Sequence, residues 1–184
     1  MTSAYSVFPN RGVRMVPYAI TTVTDRDGNL LEENRPEARD AIRADTAYVM
    51  TNLLRGVVRR GTGAAAARFN WPMGGKTGTT DDNSDAWFLG FDPNISVGVW
   101  VGHDERRTIG PGETGAQAAL PIWNDFMEAY LADKDRANPP RFEPPSNIIF
   151  VANDGSDPFA HSPLPGRAAP EELGEAFIAG TEPQ

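Results

Sequence analysis

The stretch Met73-Gly74-Gly75-Lys76-Thr77-Gly78-Thr79-Thr80 decides the fold, because it admits two incompatible readings. Its Gly-Lys-Thr matches the end of a phosphate-binding loop, whereas Lys-Thr-Gly-Thr suits an extended strand along a peptide cleft. A phosphate-binding loop needs glycine, four residues and Gly-Lys-Ser/Thr, after a buried strand and before a helix. Counting back from Gly75, the first glycine position holds Asn70, and Trp71-Pro72 occupies the loop whose backbone N–H groups must ring the phosphates. Proline has no N–H to give. The residues that follow, Thr79-Thr80-Asp81-Asp82-Asn83, open a helix poorly and would set two carboxylates beside a polyphosphate. The nucleotide reading fails and the extended one remains.

Working outward, the periodicities supply neighbours for such a strand. Ser84–Phe91 reads as a second strand and Asp92-Pro93-Asn94 as a turn. Ile95, Val97, Val99 and Val101 then alternate with Ser96, Gly98, Trp100 and Gly102, the period of a half-buried strand. Upstream, residues 45–60 read as a helix that Asp45 caps, with Ala47, Met50, Leu53, Leu54, Val57 and Val58 on one apolar face. Arg59-Arg60 suits the negative end of its dipole, and Gly61 supplies the stop. Downstream, a helix over about 114–131 carries Ile122, Trp123, Phe126, Met127 and Tyr130 as a stripe against the sheet.

Ala4, Tyr5, Val7 and Phe8 resemble the last turns of an amphipathic helix. A hairpin follows, with β-branched residues over 13–24, a turn at Asp25–Asn29 and an extended Leu30-Leu31. Pro17 confines its strand to an edge. The fold class is therefore α+β, an antiparallel sheet with strands near 74–80, 84–91 and 95–102, packed by helices. Residues 1–137 form the folded portion. Nine of the sixteen prolines fall in 138–184, which reads as an extended or disordered tail with one short edge strand at Ile148–Val151.

Composition excludes several classes. Net charge is −8 and the pI about 4.7, so a nucleic-acid or anionic-membrane surface is not expected. Cysteine is absent, which removes disulfides and thiolate-bound metals. No basic segment followed by an apolar core opens the chain, and no apolar run nears the ~20 residues of a membrane span. Asp81–Asp92 echoes a calcium loop, but its sixth and twelfth positions are Ala86 and Asp92 where glycine and glutamate belong. A self-capping turn is the better reading, and no metal or cofactor is expected. His103-Asp104 reads as a surface pair after a strand. Trp71, Trp87, Trp100 and Trp123 read mostly as core, with Trp71 able to line the mouth of a cleft.

Asn70-Trp71-Pro72 through Lys76-Thr77-Gly78-Thr79-Thr80, then Asp82-Asn83-Ser84-Asp85-Ala86-Trp87-Phe88, resembles the transpeptidase domain of class A penicillin-binding proteins. Val97–Gly102, Gly115–Phe126 with Ala-Leu-Pro-Ile-Trp, Gly61-Thr62-Gly63 and Ser3–Phe8 extend the resemblance over about residues 1–131. It implies part of a penicillin-binding/β-lactamase-like domain that cross-links peptidoglycan stem peptides by serine acyl transfer and binds β-lactams. In that scheme Lys76 places positive charge beside the attacking hydroxyl. Thr77 and Thr79 offer hydroxyls to the substrate carboxylate, and the Thr79 N–H serves an oxyanion hole. Gly78 lets the substrate backbone approach, and Thr80 and Trp71 complete the binding set.

The family also uses Ser-x-x-Lys and Ser-x-Asn. No serine of this chain has Lys three residues on or Asn two on. The expectation is a C-terminal portion of a larger protein, inactive alone, or else a non-catalytic binding or structural remnant. The resemblance further implies a parent on the periplasmic side of the inner membrane, held by an N-terminal anchor and preceded by a glycosyltransferase domain.

Overall fold

The computed structural model describes residues 1–152 and 174–183. It opens with a one-turn helix, α1 (Thr2–Tyr5), and turns that lead to Gly12. Two short antiparallel ladders follow, one nested in the other: β1 (Val13–Met15) with β4 (Ala38–Asp40), and β2 (Thr22–Thr24) with β3 (Leu30–Glu33). The single long strand expected over 13–24 is broken. Val16 N–H still reaches Glu37 O at 2.9 Å, but Pro17 has no N–H to continue. The inner turn closes as expected: Asp25 Oδ1 accepts the N–H groups of Asp27 and Asn29, and Gly28 takes φ +83°.

Helix α2 spans Ala44–Arg60 and buries Ala47, Tyr48, Thr51, Leu54, Arg55 and Val58. Leu53, placed on the apolar face by its type, is 55% exposed, because the helix is rolled toward Tyr48 and Arg55. Arg43, not Asp45, is the N-cap residue. Asp45 sits in the first turn, where its carboxylate accepts from the Arg43 guanidinium and from Asn147 Nδ2 at 2.8 Å. At the other end, the N–H groups of Gly61 and Gly63 both donate to Val57 O, at 3.0 and 3.1 Å. Gly61 has φ −112°, so its lack of a side chain answers to space and not to handedness. A Cβ there would lie 3.0 Å from Val57 Cα.

The central sheet is β5 (Gly74–Thr79), β6 (Asp85–Phe91) and β7 (Ser96–Gly102), antiparallel in that order, with β5 at one edge. Alternation along β6 sends Ala86, Phe88 and Gly90 to one face and Trp87, Leu89 and Phe91 to the other. The first face meets α3 (Leu120–Leu131), which a π-helical turn over Gly115–Ala119 introduces. Trp123 packs edge-on to Phe88, with ring centroids 5.0 Å apart, and covers Gly90, whose Cβ would stand 2.5 Å from its ring. Trp123, Met127 and Leu131 are fully buried, whereas Ile122 and Phe126 of the expected stripe are about half exposed. Burying a ring of this size contributes roughly 1.5–3 kcal/mol or more.

The other face ends in a second cluster of Tyr48, Leu54, Phe91, Phe142 and Ala176. It is built partly from the stretch read as tail. Strand β8 (Ile148–Ala152) pairs antiparallel with β9 (Gly174–Ile178). Ala176 N–H donates to Asn52 Oδ1 of α2 at 3.2 Å, and Glu175 faces Arg60 at 3.6 Å. Strand β8 falls where the sequence placed a short edge strand, and the prolines punctuate a segment whose Phe142, Phe150 and Ala176 still find a core. Residues 153–173 of that stretch lie outside the described residues.

Candidate active-site strand

The two glycines ahead of Lys76 answer to packing. A Cβ on Gly74 would come within 2.8 Å of the Phe91 ring, and one on Gly75 within 2.8 Å of Phe88 and 2.9 Å of Leu89 O. The glycine-rich run is thus a strand drawn tightly over its neighbour, not an anion loop. Its ladder partner is β6 alone, so the backbone groups on its other edge have no strand to pair with among the described residues. Helix α2 packs against β5, and the Gly61–Gly63 loop at its end comes alongside Thr77.

Along this edge Lys76 is exposed and Thr77 and Gly78 are half-buried. Lys76 Nζ folds back to Thr77 O at 2.8 Å and stands 3.4 Å from Thr77 Oγ1. Thr77 Oγ1 also lies 2.8 Å from Thr62 Oγ1. Thr79 Oγ1 accepts the N–H of Gly115 at 3.0 Å, which leaves its own proton free to donate. The π-helical turn is pressed against Gly78: a Cβ on Gly115 would stand 2.6 Å from Gly78 O and 2.3 Å from Trp87 O. Lys76, Thr77, Gly78 and Thr79 therefore share one edge, with a cation and two hydroxyls presented together.

Two of the other residues singled out by sequence are engaged elsewhere. Thr80 Oγ1 accepts the N–H of Asp85 at 2.8 Å and meets Ser84 Oγ at 2.8 Å, closing the β5–β6 turn. Trp71 lies beyond the Gly74 end of the strand, where its indole N–H donates to the buried Asp92 at 2.9 Å. It does not join the Thr77–Thr79 edge.

The Asp81–Asn83 turn caps itself through Thr80 and not through its Asp and Asn side chains. Trp100 Nε1–H donates to Asp85 Oδ1 at 2.8 Å. That bond, with help from Thr80, Ser84 and the positive charge of Arg106, holds the Asp85 carboxyl below its usual range against the cost of desolvation. Trp100 is 43% exposed and leans on Trp87, centroids 6.1 Å apart, so it is not a core residue. His103 Nδ1 lies 3.1 Å from Arg107 Nη2. The sequence did not place Thr62 or Gly115 beside the strand; their only trace was their membership of the Gly61-Thr62-Gly63 and Gly115–Phe126 segments that extend the resemblance.

An edge strand carrying Lys-Thr-Gly-Thr is thus backed by an antiparallel hairpin and covered by a helix that follows it in the chain. A family model for the penicillin binding protein transpeptidase domain matches residues 1–128, and the chain belongs to this family. Penicillin-binding protein 1A of Aquifex aeolicus is 38% identical over 184 residues, all of this chain and 24% of the relative. The chain thus spans about a quarter of that relative's length. The crystal structure of penicillin-binding protein 1A from Haemophilus influenzae superposes with a TM-score of 0.80 at 28% identity, over 100% of this chain and 32% of that one. The D,D-transpeptidase domain of a peptidoglycan glycosyltransferase from Eggerthella lenta gives 0.55 at 28% identity, over 71% and 32%. Among the described residues, no helix is long and apolar enough to cross a membrane.

Proposed function

We propose that this chain supplies the substrate strand of a peptidoglycan D,D-transpeptidase domain, whose parent cross-links stem peptides by serine acyl transfer on the periplasmic side of the inner membrane. The observation that carries this reading is the shared edge of β5. Lys76 offers charge beside a hydroxyl nucleophile, and Thr77 and Thr79 offer O–H groups to a peptide carboxylate. The Thr79 N–H offers an oxyanion donor, a group worth roughly 3–4 kcal/mol in the transition state. Thr80 serves the turn that positions these groups. The partners on this reading are stem peptides and β-lactams, with no cofactor and no metal required. The nucleophile and its activating lysine come from a Ser-x-x-Lys sequence that these 184 residues do not contain.

A chimera tests the reading. This chain replaces the matched quarter of the Aquifex penicillin-binding protein 1A, and acylation by a fluorescent penicillin is followed. The expected result is labelling that Lys76→Ala abolishes. A folded chimera that takes no label overturns the proposal and favours a non-catalytic remnant of the same fold.

A further inference from the structure

We infer that Thr62 is a positioning residue for the carboxylate-binding hydroxyl of Thr77, acting as the donor that frees Thr77 to donate in turn. This rests on the reading of β5 as a carboxylate-binding strand. Thr62 lies on the loop after α2, outside the Lys-Thr-Gly strand, and its Oγ1 stands 2.8 Å from Thr77 Oγ1. The loop that holds it is fixed from both sides. Gly61 and Gly63 each send an N–H to Val57 O, so Thr62 is clamped between two bonds to a single carbonyl. Neither flanking position admits a side chain freely: a Cβ on Gly61 would lie 3.0 Å from Val57 O, and one on Gly63 3.3 Å from it.

A hydroxyl has one proton and two lone pairs. When a carboxylate accepts the Thr77 proton, the bond between the two threonines persists only if Thr62 donates. The chain then runs from Thr62 O–H to Thr77 O–H to carboxylate, each bond polarising the next. Lys76 Nζ, 3.4 Å from the same oxygen, favours this direction by stabilising negative charge at the far end. In the unliganded chain the same bond selects one χ1 rotamer for Thr77, which the β-branched side chain holds firmly.

The test uses the 184-residue chain itself and two variants, Thr62→Val, which keeps the shape and loses the hydroxyl, and Thr62→Ser, which keeps the hydroxyl. In unliganded protein, side-chain coupling constants of Thr77 report its rotamer. In a second measurement, amide shifts of residues 77–80 are followed against a short peptide with D-configured C-terminal residues and a free carboxylate, with its C-terminal amide as control. The wild type and Thr62→Ser are expected to show one rotamer, and Thr62→Val an averaged one. Binding of the free acid is expected to weaken about tenfold in Thr62→Val and to recover in Thr62→Ser. Unchanged couplings and unchanged affinity in a folded Thr62→Val overturn the inference. If the wild type distinguishes neither peptide, the carboxylate-strand reading falls, and the couplings alone then decide whether Thr62 sets the Thr77 rotamer.

Discussion

Replacing Gly115 by alanine strikes the point where the π-helical turn meets the strand. The new methyl would start 2.3 Å from Trp87 O and 2.6 Å from Gly78 O, against the 3.4–4 Å of ordinary contact. Both oxygens belong to the paired backbone of β5 and β6, so the turn must yield by roughly 1 Å. The Gly115 N–H to Thr79 Oγ1 bond, now 3.0 Å, is lost with that shift. Overpacking of this kind costs about 1–3 kcal/mol, and the lost bond about 1 kcal/mol. At roughly 2–4 °C per kcal/mol for a chain of this size, the melting temperature is expected to fall by about 10 °C.

Two glycines calibrate the experiment. Gly112 has φ +78° and no heavy atom within 4 Å of the methyl that alanine would add, so the substitution meets only the left-handed penalty, about 1–2 kcal/mol. Gly56, inside α2 with only Arg60 side-chain atoms at 3.9 Å, is expected to gain about 0.5–1 kcal/mol as alanine. Thermal denaturation followed by circular dichroism ranks the three. Gly115→Ala melting at or above Gly112→Ala would refute the close approach of the turn to the strand.

Two further outcomes are expected. A fluorescent β-lactam should leave the isolated chain unlabelled, since removing a catalytic serine from comparable machinery costs on the order of 10⁶ in turnover; a covalent adduct on any of its serines, located by mass spectrometry, would contradict this. Asp45→Asn should lower the melting temperature near neutral pH and lose that effect in acid. The Arg43 guanidinium first, and then Asn147, hold the Asp45 carboxyl well below its usual range. Stability from this depressed group is therefore complete above the unfolded value near 3.8 and fades as pH falls toward the folded one. Melting curves of the two proteins that stay equally far apart down to about pH 2 would count against it.

Sequence alone settled the three strands of the central sheet and ruled out a phosphate loop at Gly-Lys-Thr, because both conclusions rest on residue type and near spacing. Asn70 and Pro72 spoil a phosphate loop whatever surrounds them, and the Val97-Val99-Val101 alternation buries one face wherever the strand lies. The roll of α2 was not legible: Leu53 and Leu54 are equally apolar, and only the position of Phe91 and Phe142 decides which is buried. Trp100 escaped for the same reason, since an indole satisfied by Asp85 need not be core. The short strand at Ile148–Val151 was legible, but its partner at 174–178 and the burial of Phe142 were hidden behind prolines that mark breaks and say nothing of what lies between them.

The amino-acid order thus determined that an extended Lys-Thr-Gly-Thr exists and what hydroxyls and charge it carries. Only the tertiary structure brought Thr62 to Thr77, 15 residues away, and Gly115 to Thr79, 36 residues away. Contacts at such separations depend on how the end of α2 and the π-helical turn dock on the sheet. No local periodicity encodes that docking; it follows from where the rings of Phe88 and Trp123 are buried on one face of the sheet and that of Phe91 on the other.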